Sequence, residues 1–108
     1  MIYAWVDRVP QERPKKNIMR DFSDGNQIAN IIRYYLPKEY KGIVQVHNYI
    51  ATSNKTKMKE NWSLLNQKVL AKMNLQLSRE EIDGVVNCKQ MMIESILMKV
   101  KKAIEMFV

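Results

Sequence analysis

Cysteine and histidine are almost missing from this sequence, with one of each, Cys88 and His47, in 108 residues. A single thiol excludes an intramolecular disulfide framework. One Cys and one His together also fall short of the four ligands of a structural zinc site. Glycine is scarce, with three residues. Neither Gly-x-x-x-x-Gly-Lys nor Gly-x-Gly-x-x-Gly occurs, so no phosphate-cradling loop is legible. No apolar run approaches the roughly 18 residues of a membrane-spanning helix. The first residues, Met1-Ile2-Tyr3-Ala4-Trp5-Val6-Asp7, place no basic group ahead of the apolar ones and do not read as a signal peptide. A reducing, intracellular compartment is therefore expected, and Asn54-Lys55-Thr56 and Asn61-Trp62-Ser63 read as chance glycosylation sequons.

What remains is a hydrophobic, basic chain. Apolar residues make up 46%, too many for a disordered segment, and the length suits one domain over residues 1–108. Eighteen Lys and Arg against eleven Asp and Glu leave a formal charge of +7. Residues 51–74 carry +4 of it, from five lysines and one glutamate. Residues 10–20 form a basic connector with Arg13, Lys15, Lys16 and Arg20 against Glu12 alone. An excess of this size points to a polyanionic partner.

The apolar spacing predicts helices throughout. A short helix covers residues 1–8 and stops at Pro10 and Pro14. A second starts at Asp21, with Asp24 at its N3 position, buries Ile28, Ile31, Ile32, Tyr35 and Leu36, and ends at Pro37. Residues 38–53 read as loop, with Ile43-Val44-Gln45-Val46 as extended chain plugging the core. A long helix over about residues 54–74 is capped by Ser53 or Asn54 and ends with Asn74 left-handed. Ser78 and Glu81 form a capping box for a short helix, and a last helix runs over about residues 90–107. The expected class is all-α, a compact bundle of four main helices plus short connecting ones.

Catalytic candidates are thin. Nothing in the spacing brings Cys88 to His47; Cys88 reads as a small buried residue and His47 as a hydrogen-bonded loop anchor. Asp21 and Asp24 are explained by helix capping without a metal. Met91, Met92, Met98 and Met106 read chiefly as core fillers. No enzyme, cofactor or metal is expected. On the third helix Lys55 and Lys59, and again Lys68 and Lys72, are four apart and share a face, with Lys57 between the first two in sequence. They read either as a solvated face or as a docking surface. Nucleic acid is disfavoured, because Tyr34, Tyr35, Tyr40 and Tyr49 lie away from the lysine-rich helix.

Several stretches together resemble one family. Tyr3-Ala4-Trp5-Val6-Asp7, Arg13-Pro14-Lys15-Lys16-Asn17, Arg20-Asp21-Phe22-Ser23-Asp24-Gly25, His47-Asn48-Tyr49 and Asn61-Trp62-Ser63-Leu64-Leu65-Asn66-Gln67-Lys68-Val69-Leu70 fall in its order and spacing. The chain is similar over nearly its whole length to the calponin-homology domain of the sperm flagellar protein family. That resemblance implies the calponin-homology fold and a microtubule-binding module of the ciliary or flagellar axoneme, of the central-pair type, that stabilises or bundles microtubules. It carries the basic connector residues Arg13, Lys15, Lys16 and Arg20 over, and Lys68 with them. Lys55, Lys57, Lys59 and Lys72 are added from charge alone. Trp5, Phe22 and Trp62 fall on family positions expected in the core. Glu39-Tyr40-Lys41-Gly42 looks like an insertion, and Lys89-Gln90-Met91 stands where the family often has a Pro-Gly break. The chain is expected to be the N-terminal part of a longer protein whose dimerising C-terminal segment is absent here. The alternative is an actin-filament-binding calponin-homology domain, because actin is acidic too.

Overall fold

The computed structural model describes Trp5, Val6, Arg8 and residues 22–107. Within residues 22–107 there are four α-helices: α1 (Asn26–Tyr35), α2 (Lys55–Lys68), α3 (Arg79–Val86) and α4 (Met92–Phe107). Three 3-10 turns, Lys38–Ile43, Val46–Asn48 and Leu70–Met73, connect them. There is no strand among the described residues, and the all-α class expected from the apolar spacing is the one found. Trp5 and Val6 are helical and buried. Ile2, Val9, the 10–20 connector and Asp21 lie outside the described residues.

α1 begins later than its sequence pattern predicts. Gly25, at φ 82°, stands in the left-handed region immediately before Asn26, so the helical run cannot extend back through it. Asp24 is therefore outside the helix rather than at N3. Its Oδ1 accepts from the Asn26 amide at 3.0 Å. Ile28, Ile31, Ile32 and Leu36 face the core as expected, and Leu36 turns extended ahead of Pro37. Residues 39–42, read as an insertion, fold within the 3-10 turn Lys38–Ile43, which is clasped to the end of α1. Lys41 Nζ donates to the carbonyls of Arg33 (2.6 Å) and Tyr34 (2.9 Å), and the Arg33 guanidinium donates to the Lys41 carbonyl (3.1 Å). A lysine on the last carbonyls of a helix suits its negative end. Val44 then enters the core as expected, but the expected extended stretch shrinks to Val44 and Gln45: Ile43 ends one 3-10 turn and Val46 starts the next, and both are only half-buried.

Asn54 caps α2 by accepting from the Lys57 amide at 3.0 Å. The helix expected over 54–74 is broken at Val69 into α2 and the 3-10 turn Leu70–Met73. That turn closes in a Schellman arrangement: the Leu75 amide donates to the Leu70 carbonyl and the Asn74 amide to the Ala71 carbonyl, with Asn74 left-handed at φ 58°. Asn66 secures the return, accepting from the Leu77 amide (2.8 Å) and donating to the Leu77 carbonyl (3.0 Å). The Ser78–Glu81 capping box opens α3 as predicted.

α3 ends in a second Schellman arrangement, in which Lys89 donates to the Gly84 carbonyl and Cys88 to the Val85 carbonyl. Cys88 holds its left-handed position at φ 58°, and its side chain is exposed, contrary to the expectation of burial. Met91, at φ 67°, sets the start of α4 at Met92. Ile93, Ile96, Leu97, Val100 and Ile104 point inward, while Met91, Met98 and Met106 point outward and only Met92 of the helix methionines packs on the core. The reading of all four as core fillers is thus corrected: the isoleucines, leucine and valine already occupy the buried stripe.

Phe22 and Trp62 are fully buried and Trp5 nearly so, as expected. The Trp62 indole N–H donates to the Ser23 carbonyl at 2.8 Å, so its burial leaves no polar atom unpaired. Trp5 stacks on Tyr35 with ring centroids 4.5 Å apart, and the Tyr35 hydroxyl donates to the Trp5 carbonyl. These contacts tie the Trp5–Val6 segment to α1.

Candidate functional site

The basic residues of α2 divide by what they touch. Lys55 Nζ donates to Asn87 Oδ1 at 2.9 Å, and Lys59 Nζ lies 3.3 Å from Asp83 Oδ1. Both side chains span from α2 to α3 or its end, and Lys59 is ion-paired there. Lys57 lies 3.4 Å from Glu60, one turn along α2. Lys68 and Lys72 are exposed, and no ion pair to either occurs among the described residues. The four lysines read from charge and Lys68, carried over by the resemblance, thus do not form one uniform docking face. Lys55 and Lys59 brace α2 against α3, and Lys68 and Lys72 end the α2 segment as outward cations. Arg13, Lys15, Lys16 and Arg20 lie outside the described residues.

A second ionic contact braces α3 against α4. Lys99 Nζ is hydrogen-bonded to Glu81 Oε2, while Glu81 Oε1 accepts from the Ser78 amide. Partial burial alone would raise the Glu81 carboxyl. The Lys99 hydrogen bond, the Ser78 amide and hydroxyl and the Lys99 charge outweigh it, so the carboxyl sits below its ordinary value. Burial pushes the Tyr49 phenol up, keeping it neutral.

Among the described residues, no group of three or more His, Cys, Asp or Glu side chains is placed to hold a metal ion. His47 lies exposed on the turn Val46–Asn48 and Cys88 on the turn after α3. His47 is not the anchor of its loop: Tyr49 is, with its ring buried and its carbonyl accepting from Asn26 Nδ2 at 2.6 Å. No described helix is long and apolar enough to cross a membrane.

Residues 49–53, read as loop from the sequence, and the α2 cap Asn54 form a heavily braced strap among the described residues. Beyond the Asn26–Tyr49 bond, Asn61 Nδ2 donates to the Ile50 carbonyl (3.0 Å) and the Asp24 carbonyl (2.9 Å). Asp24 Oδ2 accepts from the Thr52 amide (3.0 Å), and Thr52 Oγ1 from the Asn54 amide (3.1 Å). Asp24 and Asn61 are buried polar groups, and these bonds satisfy them. The Asn61 sequon is accordingly closed to a glycan. Between these bonds the Ile50 side chain stands 71% exposed. The signal for this strap lay in the polar residues beside aromatics, Asp24 near Phe22 and Asn61 beside Trp62. Their pairing across 37 residues is tertiary information.

The chain matches, over residues 2–102, the family model described as CH-like domain in sperm protein. It is 38% identical over 104 residues to Sperm flagellar protein 1 of Xenopus laevis, covering 96% of this chain and 44% of that protein. Identity to Sperm flagellar protein 1 of Mus musculus is 36% and to that of Homo sapiens 35%, each over 96% of this chain and 43% and 42% of theirs. The chain thus spans less than half the length of the curated relatives it matches.

Proposed function

The chain belongs to the family of CH-like domains in sperm proteins, and from that premise we propose that it is a non-catalytic microtubule-binding module of the ciliary or flagellar axoneme, of the central-pair type. The observation that carries the reading is the outward pair Lys68 and Lys72 on a chain of net charge +7. Lys57 and the connector residues Arg13, Lys15, Lys16 and Arg20 join them in the proposed contact. Tubulin is acidic, so these cations meet its carboxylates. An exposed pair contributes little alone, so several act together. Lys55 and Lys59 contribute to the surface potential while bracing α3. Stabilisation or bundling of microtubules is proposed here only as the context of this module within a longer protein.

The test is cosedimentation of the purified domain with microtubules and with actin filaments at low and moderate salt. Pelleting with microtubules, weakened as added salt shortens the screening length to about 8 Å and below, is the expected result. Pelleting with actin alone would replace this reading with an actin-binding one.

A further inference from the structure

We propose that Ile50 is the apolar anchor of the filament-binding surface, seated in an apolar recess of the same acidic tubulin lattice; the inference rests on the microtubule reading above. Protein interfaces draw most of their affinity from a few rigid, well-desolvated side chains inside a polar rim. Ile50 has that setting. Its own carbonyl is held by Asn61, the carbonyl before it by Asn26, and the Thr52 amide by Asp24. Asp24 and Asn61 are 5% and 8% exposed, so the bonds that fix the strap are shielded from water. The Tyr49 ring beside it is buried while Ile50 and Ala51 are outside.

A side chain 71% exposed adds almost nothing to folding. Its backbone is nonetheless ordered before any partner arrives, which removes part of the entropy cost of association. Its neighbours suit the same role. Ala51, Thr52 and Ser53 are small, so a partner surface can close around the isoleucine. Lys55 follows at the start of α2, exposed and bonded to the neutral Asn87 side chain, and supplies positive charge to the rim. Charge attracts the acidic lattice from a distance, and the isoleucine contributes a contact that salt does not screen.

The experiment compares wild type, Ile50→Ser and Ile50→Leu by microtubule cosedimentation across a salt series, with thermal melts as a folding control. Ile50→Ser is expected to weaken binding about tenfold or more at every salt, as burial of one isoleucine predicts. The slope of log affinity against log salt stays that of wild type, the melts coincide, and Ile50→Leu retains most of the affinity. Equal binding by wild type and Ile50→Ser would overturn the anchor and leave the microtubule reading standing. Failure of the wild type itself to pellet with microtubules at low salt would overturn both.

Discussion

Gly25 stands where two demands meet. Its φ of 82° is a left-handed conformation that an L side chain adopts at a cost of about 1–2 kcal/mol. A methyl group there would also lie 3.3 Å from Asn61 Cβ, inside the packed contact between the start of α1 and α2. Gly25→Ala is therefore expected to lower unfolding stability by about 1–2 kcal/mol in urea titrations, with the denaturant slope unchanged. The same residue explains a misreading. Asp24 has the residue type and spacing of a position inside the first turn, but the left-handed glycine after it moves the helix start to Asn26 and leaves the carboxylate bridging two backbone amides. Cys88 is a parallel case: its type favours burial, yet the φ of 58° that ends α3 turns it outward. Backbone sign at a single non-glycine residue is set by the chain on both sides, so composition and spacing do not reveal it.

Among the elements, α3 is short, and its start depends on Ser78 and Glu81. The depressed Glu81 carboxyl gives this cap a pH dependence of definite sign. At neutral pH the group is ionised in both folded and unfolded chains and its contribution is complete. As pH falls below the ordinary value of 4.5, the unfolded chain takes up the proton first, and the contribution is lost once the folded carboxyl is protonated as well. Thermal midpoints measured at pH 7 and pH 3 should fall further for wild type than for Glu81→Gln; equal falls would show that the Lys99–Glu81 contact carries no linkage. The capping box was legible because it is local, four residues with one purpose. The break of the expected 54–74 helix at Val69 was not, because Asn66 and Leu77 impose it from outside the helical pattern.

At the scale of the whole molecule, the net charge of +7 was evident at once, but its distribution was not. Helical spacing treats Lys55, Lys59, Lys68 and Lys72 alike, whereas folding brings Asp83 to Lys59 and Asn87 to Lys55 and no described carboxylate to Lys68 or Lys72. Two double variants separate the roles. Lys68→Glu with Lys72→Glu should reduce microtubule pelleting severalfold with little change in melting temperature. Lys55→Glu with Lys59→Glu should lower stability by about 0.5–1 kcal/mol, because it sets like charge beside Asp83. The all-helical class and the membership of Phe22, Trp62 and the isoleucine stripe in one core could be read from apolar spacing and family resemblance. The strap of residues 49–54 could not, since its bonds join positions far apart in the chain.

The outward methionines of α4 bear on the chemistry of oxidation. Met91, Met98 and Met106 are 62%, 57% and 78% exposed, whereas Met73 is 4% exposed and Met92 packs between helices. Conversion of a thioether to its sulfoxide turns a flexible apolar group into a polar one. At the three outer sites that change meets water and leaves the core packing intact. An oxidant from solution therefore reaches first the methionines whose modification the fold tolerates, and these can be reduced again while Met73 stays shielded.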